Sequence, residues 1–279
     1  MSAATRHHPG STGIDWGVVR AMLRRDLGAI LRSKALLLPM LFLPTVLLVL
    51  LPLSIGLAAN GKTVRVERAL ELLPDRLVQP VLAHPPDERL VILVLGYLVA
   101  PLFLIVPLMV SAVTASDTFA GEKERRTLET LLHLPIRDRD LYLSKLLGGF
   151  LPATIVSWGG FVIYAILANI VCWPVMGRIF LPTWKWIILI FWVAPAVAAL
   201  GLGVMVRVST RVNTTQEAQQ LGGAVVLPLV MLAVGQTTGL LLAGATVAFV
   251  AGAAMWAVAA YLNLRGAKAF TRDRMGSRL

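Results

Sequence analysis

Eight residues of the sequence have the types and spacing of a phosphate-binding loop. The stretch GLAANGKT, Gly56 to Thr63, satisfies the nucleotide-binding pattern G-x-x-x-x-G-K-[ST] at every position. In a genuine site of this kind, a strand leads into the loop, and backbone N–H groups at the start of the following helix cradle the phosphates. ATP binding is therefore a hypothesis that depends on the elements around the stretch.

Those elements are long apolar segments. Hydrophobic residues make up 57% of the 279 residues and charged residues only 15%, unlike the composition of a soluble domain. Because about 20 helical residues at ~1.5 Å each cross a hydrocarbon core of ~30 Å, uncharged runs of this length predict transmembrane helices. We predict an all-α integral membrane protein with a single domain and six spans, at about 35–59, 90–115, 146–170, 184–206, 221–236 and 239–262.

The distribution of lysine and arginine predicts the orientation of these spans. With the N-terminus inside, the cytoplasmic segments hold 19 of the 26 basic residues, as the positive-inside rule requires. Both termini are then cytoplasmic, residues 60–89 form the external loop, and residues 263–279 form a basic cytoplasmic tail. The net charge of +11 suits contact with anionic membrane lipids. Nucleic-acid binding is disfavoured, since no basic run carries interleaved aromatic residues.

This topology argues against a nucleotide site at Gly56 to Thr63. The glycines follow a transmembrane helix and face away from cytoplasmic ATP, and the external loop is too short for a nucleotide-binding domain. We therefore expect no cofactor bound by this chain.

Other self-sufficient chemistries are also disfavoured. The four histidines lie outside the spans and no H-E-x-x-H occurs, so we assign no catalytic residue and no metal ligand. No span has an ionisable residue at its centre, which argues against an ion-coupled carrier.

Residues 14–34 have the pattern of a helix lying on the membrane surface. The apolar residues Trp16, Val19, Leu23, Leu27 and Ile30 recur at helical spacing, and the basic residues Arg20 and Arg24 lie between them. We predict a cytoplasmic interfacial helix with its apolar stripe in lipid and its arginines at the headgroups. An ordinary charged flank of the first span is the alternative.

The loop of residues 116–145, between the second and third spans, is the most informative segment. Ser116 or Asp117 can cap a helix start, Leu128, Leu131 and Leu132 recur on one face, and Pro135 ends the pattern. These residues predict a short amphipathic helix across the cytoplasmic mouth of the bundle. The pattern alone leaves open whether the helix is a solvated connector or a docking surface.

A resemblance to a known family favours the docking surface over the solvated connector. The run GEKERRTLETLLHLPIRDRDLYLSK resembles the signature of type-2 (ABC-2) ABC transporter permeases, the family that includes drug, polysaccharide and sodium exporters. That signature contains an acidic pair, Thr-Leu-Glu, two leucines, a proline, a basic residue and a lysine at the head of the next span. The matching residues here are Glu122, Glu124, Thr127, Leu128, Glu129, Leu131, Leu132, Pro135, Arg137 and Lys145. The rest of the chain is similar at lower resolution.

The resemblance implies a division of labour between subunits. The loop is then a coupling helix that binds a dimeric cytoplasmic ABC ATPase subunit, which holds ATP and Mg, with the leucines as apolar knobs. The glutamates and the arginines, which include Arg125 and Arg126, then set register at the rim. A second copy or a related permease pairs with this chain in the cell inner or plasma membrane, among membrane lipids.

The resemblance also implies a function. Parts of the second and fifth spans then line a pathway between two permeases. Because these spans are mostly leucine, valine and alanine here, we expect export of a hydrophobic or amphiphilic substrate. The alternative is a membrane component that transmits ATPase motion to another protein without passing a substrate. Gly244, Ala248 and Gly252 offer a small-residue face in the sixth span, either for pairing between subunits or for packing within one.

Overall fold

The computed structural model describes residues 13–61, 75–121, 124, 136–209, 212, 214–218, 220–221 and 245–269. In these residues the regular structure is helical and no strand is present. Five of the helices in this described part of the chain are long and apolar enough to cross a membrane, which confirms the all-α membrane class. They correspond to the predicted spans one to four and six, whereas the predicted fifth span at 221–236 lies, except for Leu221, outside the described residues.

We number the described helices in chain order. They are α1, Trp16–Arg32; α2, residues 34–61; α3, Asp75–Leu82; α4, Arg89–Gly121; α5, Asp138–Val171; α6, Trp173–Met176; α7, Trp184–Ser209; and α8, Ala245–Ala269. Helices α2, α4, α5, α7 and α8 are the five membrane-length helices.

Three of these helices extend by six or more residues beyond the ends predicted from hydropathy. Helix α4 continues past residue 115 to Gly121, α5 begins at Asp138 rather than at 146, and α8 continues past 262 to Ala269. A helix satisfies its own backbone hydrogen bonds both in lipid and in water, so it need not end where the apolar run ends. Hydropathy therefore locates the part of a helix inside the bilayer, while the helix itself reaches further.

Proline residues explain wide turns inside the membrane-length helices. π-Helical turns at Val46–Leu50, Ile92–Leu98 and Leu189–Val193 are each followed within three residues by a proline, namely Pro52, Pro101 and Pro195. Proline has no N–H to donate and its ring crowds the preceding turn. A wider turn before the proline lets the helix continue with few unpaired carbonyl groups, as a membrane interior requires.

An aromatic cluster around Trp186 joins α4, α5 and α7. The Trp186 side chain is 1% exposed, stacks on Phe161 at 5.4 Å between ring centroids, and meets Phe103 edge-on at 5.9 Å. Its Nε1 donates to the carbonyl of Gly96 at 3.1 Å, and the Tyr164 hydroxyl donates to the neighbouring carbonyl of Leu95 at 2.7 Å. Both carbonyls belong to the Ile92–Leu98 π-turn, so the cluster satisfies polar groups in that turn.

The residues of the nucleotide-binding pattern that the structure describes are helical. Gly56 lies against the end of α5, where a Cβ atom would approach Val171 Cγ1 to 2.3 Å. Asn60 Nδ2 donates to the Val171 carbonyl at 3.0 Å. Residues 56–61 therefore pack α2 against α5, as a helix end and not as a phosphate-binding loop, while Lys62 and Thr63 lie outside the described residues.

Candidate functional site

Long-range hydrogen bonds bring the predicted cytoplasmic segments together at one end of the helix bundle. Arg137, immediately before α5, donates from Nη1 to the Gly13 carbonyl, before α1, at 2.9 Å. The Tyr142 hydroxyl, in the second turn of α5, donates to the Asn263 carbonyl, near the end of α8, at 3.0 Å. The starts of α1 and α5 therefore lie beside the end of α8.

Most of the predicted coupling residues lie outside the described part of the chain. Glu124 and Arg137 are described, and both are exposed. Arg137 forms the hydrogen bond to Gly13 given above. The other predicted coupling residues lie outside the described residues; they are Glu122, Arg125, Arg126, Thr127, Leu128, Glu129, Leu131, Leu132 and Pro135. Of the predicted coupling residues, Glu124 and Arg137 are therefore the two whose contacts the structure describes.

Glu124 connects the loop after α4 to the loop after α7. Its Oε2 accepts two hydrogen bonds from Thr215, one from the backbone N–H at 2.9 Å and one from the hydroxyl at 2.8 Å. Residues 215–218 form a helical turn, and the Thr214 hydroxyl oxygen accepts from the Glu217 N–H at 3.2 Å to cap it. A carboxylate at the N-terminus of a helical turn is favoured by the exposed N–H groups there.

The sequence contains a local signal for the helical turn at residues 215–218, which neither hydropathy nor the family signature includes. Thr214 followed by Glu217 has the S/T-x-x-E spacing of a capping box, which marks a helix start. The pairing of Thr215 with Glu124, 91 residues earlier in the chain, has no local signal, because it depends on how α4 and α7 pack.

The prediction that Ser116 or Asp117 caps a new helix is wrong. Both residues lie inside α4, whose last described turn, Ser116–Gly121, is π-helical. The Ser116 hydroxyl donates back to the Ala112 carbonyl at 2.7 Å, which is a bond that a serine makes within a helix. The second span therefore leads into the loop without a break at its predicted end.

Lys145 is a buried cation at this junction. Its side chain is 1% exposed although it lies on a membrane-length helix, and its Nζ donates to the Thr118 carbonyl at 3.1 Å. The same Nζ lies 5.6 Å from the centre of the Phe119 ring, which gives a cation–π contact. Lys145 thus links α5 to the final π-turn of α4, so that the two helices flanking the loop are connected where they enter it.

The sequence placed Lys145 at the head of the third span but did not indicate its burial. Burying an ammonium group is costly unless polar or π partners replace water. Those partners come from α4, 26 to 27 residues earlier in the chain, and only the packing of the two helices shows them.

Helix α1 begins as expected but contacts the bundle more than predicted. The Asp15 carboxylate caps it by accepting from the N–H groups of Gly17 and Val18. Trp16, Arg20 and Arg24 are exposed, and Leu23 and Leu27 are partly buried.

The expectation that the whole apolar stripe of α1 faces lipid is not met. Val19 and Ile30 are 2% and 4% exposed within the protein, and Met22 belongs to a buried cluster with Leu141 and Tyr142 of α5. The sequence pattern of α1 shows only that one face of the helix is apolar. Such a face can be buried against other helices of the protein as well as in lipid.

The small-residue face of the sixth span packs within the chain where it is described. A Cβ atom on Gly252 would approach Trp192 Cδ1 of α7 to 2.4 Å, and Ala248 is buried. Gly244 lies outside the described residues. Close contact between α7 and α8 therefore accounts for Gly252 without a second subunit.

Among the described residues, no group of three or more histidine, cysteine, aspartate or glutamate side chains could hold a metal ion.

The hydrogen bonds of Glu124 and Lys145 join two loops and two helix ends at one end of the bundle. Such connections suit the transmission of movement between helices.

Comparison with known proteins identifies a family. A family model described as ABC-2 family transporter protein matches residues 20–263, which include most of α1, the membrane-length helices as far as residue 263 and the loop of residues 116–145. A search of curated proteins gave no match.

Proposed function

Because the chain belongs to the family of ABC-2 transporter proteins, we propose that it exports a hydrophobic or amphiphilic substrate with energy from ATP hydrolysed by a separate subunit. Membership makes it a multi-pass membrane permease subunit of an ABC transporter, which works with an ABC ATPase subunit. The contact between Glu124 and Thr215 carries the part of the proposal that concerns coupling to the ATPase subunit, because it joins the predicted coupling loop to a second loop at the same end of the bundle.

In this proposal the loop of residues 116–145 receives the movement of the ATPase subunit. The movement passes to α4 and α5, which Lys145 links at the entrance to the loop, and to α7 through Glu124 and Thr215. ATP binding shifts the permease between conformations only if the ATPase dimer has different contacts with each of them. Helices that are firmly connected at the docking end convert a local displacement into a movement of whole spans.

The proposed complex has two permeases and two ATPase subunits. ATP and Mg belong to the ATPase subunit, and this chain has no ATPase site of its own. The loops and termini at the docking end face the cytoplasm, as the distribution of basic residues predicts. Whether the second permease is identical or related, the pathway lies between the two.

An apolar lining favours a hydrophobic or amphiphilic substrate over a bare ion. Helix α4, the second span, is composed mostly of leucine, valine, isoleucine and alanine between Leu90 and Ala115. An ion would need polar groups to replace its hydration shell, which such a surface does not offer.

The second candidate function is transmission of ATPase motion to another protein without a transported substrate. The connected loops support it equally, because they concern coupling and not the pathway. Inverted vesicles that contain the reconstituted complex distinguish the two functions through ATP-dependent uptake of lipid, drug and ion candidates. Export predicts uptake of an amphiphile that stops when the ATPase is inactivated. ATP hydrolysis without uptake of any compound would favour the second function.

We expect the Glu124–Thr215 contact to strengthen binding of the ATPase subunit. Glu124→Ala and Thr215→Val should each weaken the affinity of the ATPase subunit for nanodisc-embedded permease about fivefold, as loss of ~1 kcal/mol does. The double variant should be no weaker than Glu124→Ala alone, because both changes remove the same interaction. Titration with labelled ATPase subunit measures this, and Thr246→Val, at an exposed threonine of α8, is the control. Fully additive effects of the two changes would refute the coupling between these residues.

We expect Lys62 to have no role in ATP hydrolysis. Lys62→Ala should leave the ATPase rate of the complex within about twofold of the original, because the preceding residues 56–61 are helical and pack on α5. The comparison is the P-loop lysine of the ATPase subunit, whose substitution should abolish hydrolysis. An equal loss from both substitutions would restore the nucleotide-site hypothesis.

A further inference from the structure

A cavity of about 530 Å³ lies at the end of the bundle opposite the coupling loop. It opens between the first turns of α4, the segment that joins α6 to α7, and the first turn of α7. Its volume is within the range of roughly 300–1,000 Å³ that is typical of small-molecule sites. Neither the family match nor the coupling contacts assign a role to it.

Side chains in fixed positions form the inner wall of the cavity. Trp186 is held by its hydrogen bond to the Gly96 carbonyl and by the aromatic cluster around it. Ile92, Met176 and Leu181 add apolar surface and are all less than 9% exposed. This wall can bury an apolar chain without rearrangement.

The segment between α6 and α7 is held in place by one asparagine. Asn169 Oδ1 accepts from the N–H groups of Phe180 and Leu181 at 2.9 and 3.3 Å, and its Nδ2 donates to the Leu181 carbonyl at 2.7 Å. Three hydrogen bonds from a single side chain fix the backbone that forms one side of the cavity. The cavity is therefore preformed, which reduces the entropic cost of binding.

The charge of the cavity is positive. Arg178 and Lys185 both line it, but Arg178 forms an ion pair with the buried carboxylate of Glu88. The Lys185 ammonium lies 5.7 Å from the centre of the Tyr97 ring, and among the described residues no carboxylate lies within ion-pair distance of it. One cation in the cavity thus lacks a compensating anion from the described chain.

From this combination we propose that the cavity binds an anionic amphiphile, with a carboxylate or phosphate headgroup at Lys185 and an alkyl chain against Ile92, Met176 and Leu181. A cationic amphiphile is excluded because Lys185 repels it and already occupies the face of Tyr97. Trp184 is 67% exposed at the rim, and tryptophan in such a position favours the boundary between headgroups and acyl chains. A lipid or fatty acid can therefore enter from the membrane surface. This site does not depend on the proposed export function.

Photolabelling of the full chain in phosphatidylcholine nanodiscs tests the proposal. The probe is a 16-carbon fatty acid with a diazirine in its chain, and mass spectrometry locates the labelled residues. We expect labels on the α4 segment around Ile92 and on the segment of residues 176–186. Lys185→Gln should reduce this labelling about tenfold, since a charge-assisted hydrogen bond is lost, and Lys185→Arg should retain most of it. Lys34→Gln, at an exposed lysine of α2, is the matched control and should have no effect.

Two further photolabelling experiments test which chemical groups of the ligand the cavity recognises. The uncharged methyl ester of the probe should label the cavity weakly, and the same weak labelling in Lys185→Gln shows that this variant keeps its apolar wall. Dodecyl phosphate should compete with the probe, while inorganic phosphate at the same concentration should not. Competition by inorganic phosphate, equal labelling by acid and ester, or no loss in Lys185→Gln would each overturn the proposal. ATPase coupling is measured separately, so a failure here leaves the export proposal intact.

Discussion

Replacing Leu131 and Leu132 with aspartate should abolish recovery of the ATPase subunit with the purified permease. These leucines lie outside the described residues, and the expectation rests on their helical spacing and on the family to which the chain belongs. An amphipathic helix binds a groove through a few apolar side chains, and truncation of such anchors commonly costs ~2 kcal/mol or more each. Two buried charges add a desolvation cost, so the combined effect should exceed roughly a thousandfold in affinity.

Conservative substitutions and a folding test separate docking from loss of structure. Leu131→Met with Leu132→Met keeps the volume and apolarity of the side chains, so ATPase recovery should fall by no more than about tenfold. Each variant should also insert into membranes and elute as the original does in size-exclusion chromatography. Normal ATPase recovery with the aspartate pair would contradict docking by these leucines. The loop would then act as a solvated connector.

Gly201→Leu should disrupt the contact between α4 and α7. A Cβ atom at Gly201 would approach Ser111 Oγ to 2.6 Å and Leu108 Cδ1 to 2.8 Å, and the Leu108 backbone carbonyl lies 3.6 Å away. Small residues permit such close approach of helix backbones in membranes, and a larger side chain forces them apart. Overpacking of this kind costs ~3 kcal/mol or more, which corresponds to a fall of roughly 10 °C in the thermal midpoint.

Gly159 provides the matched control for this substitution. It lies within the membrane-length helix α5, is exposed, and has no neighbouring atom within 4 Å of the position that a Cβ atom would take. Gly159→Leu should therefore change the midpoint by less than about 2 °C, and Gly201→Ala should fall between the two leucine variants. Thermal unfolding of detergent-purified protein, followed by fluorescence-detected size exclusion, measures all three. Equal midpoints for the two leucine variants would show that α4 and α7 do not pack through Gly201.

The Gly201 contact also bears on coupling. Glu124 follows the end of α4 in the chain, and Thr215 follows the end of α7. The spacing between α4 and α7 at Gly201 should therefore affect whether Glu124 and Thr215 can form their hydrogen bonds. Gly201→Leu should consequently weaken ATPase binding together with stability, whereas Thr215→Val should weaken binding alone. This difference distinguishes Thr215, which forms the hydrogen bonds with Glu124, from Gly201, which permits the helix packing that brings the two residues together.

The amino-acid sequence by itself determined the membrane class, the positions of five described spans and the family signature in the loop of residues 116–145. Each of these depends on properties that are local in the chain. An uncharged run of about 20 residues must leave water wherever the rest of the protein lies, and a helix is the structure that satisfies its backbone there. The same local rules also rejected the nucleotide pattern, since its glycines continue an apolar run.

Only the tertiary structure decided which faces of these helices meet. The burial of Lys145 against Thr118, the hydrogen bonds between Glu124 and Thr215 and the position of the Lys185 ammonium over the Tyr97 ring each link residues from different helices or loops. Apolar runs have little directional preference for one another in lipid, so hydropathy does not specify their neighbours. Close approach at small residues such as Gly201, together with the need to pair buried polar groups, selects one arrangement. That arrangement brings Glu124 to Thr215 and forms the cavity.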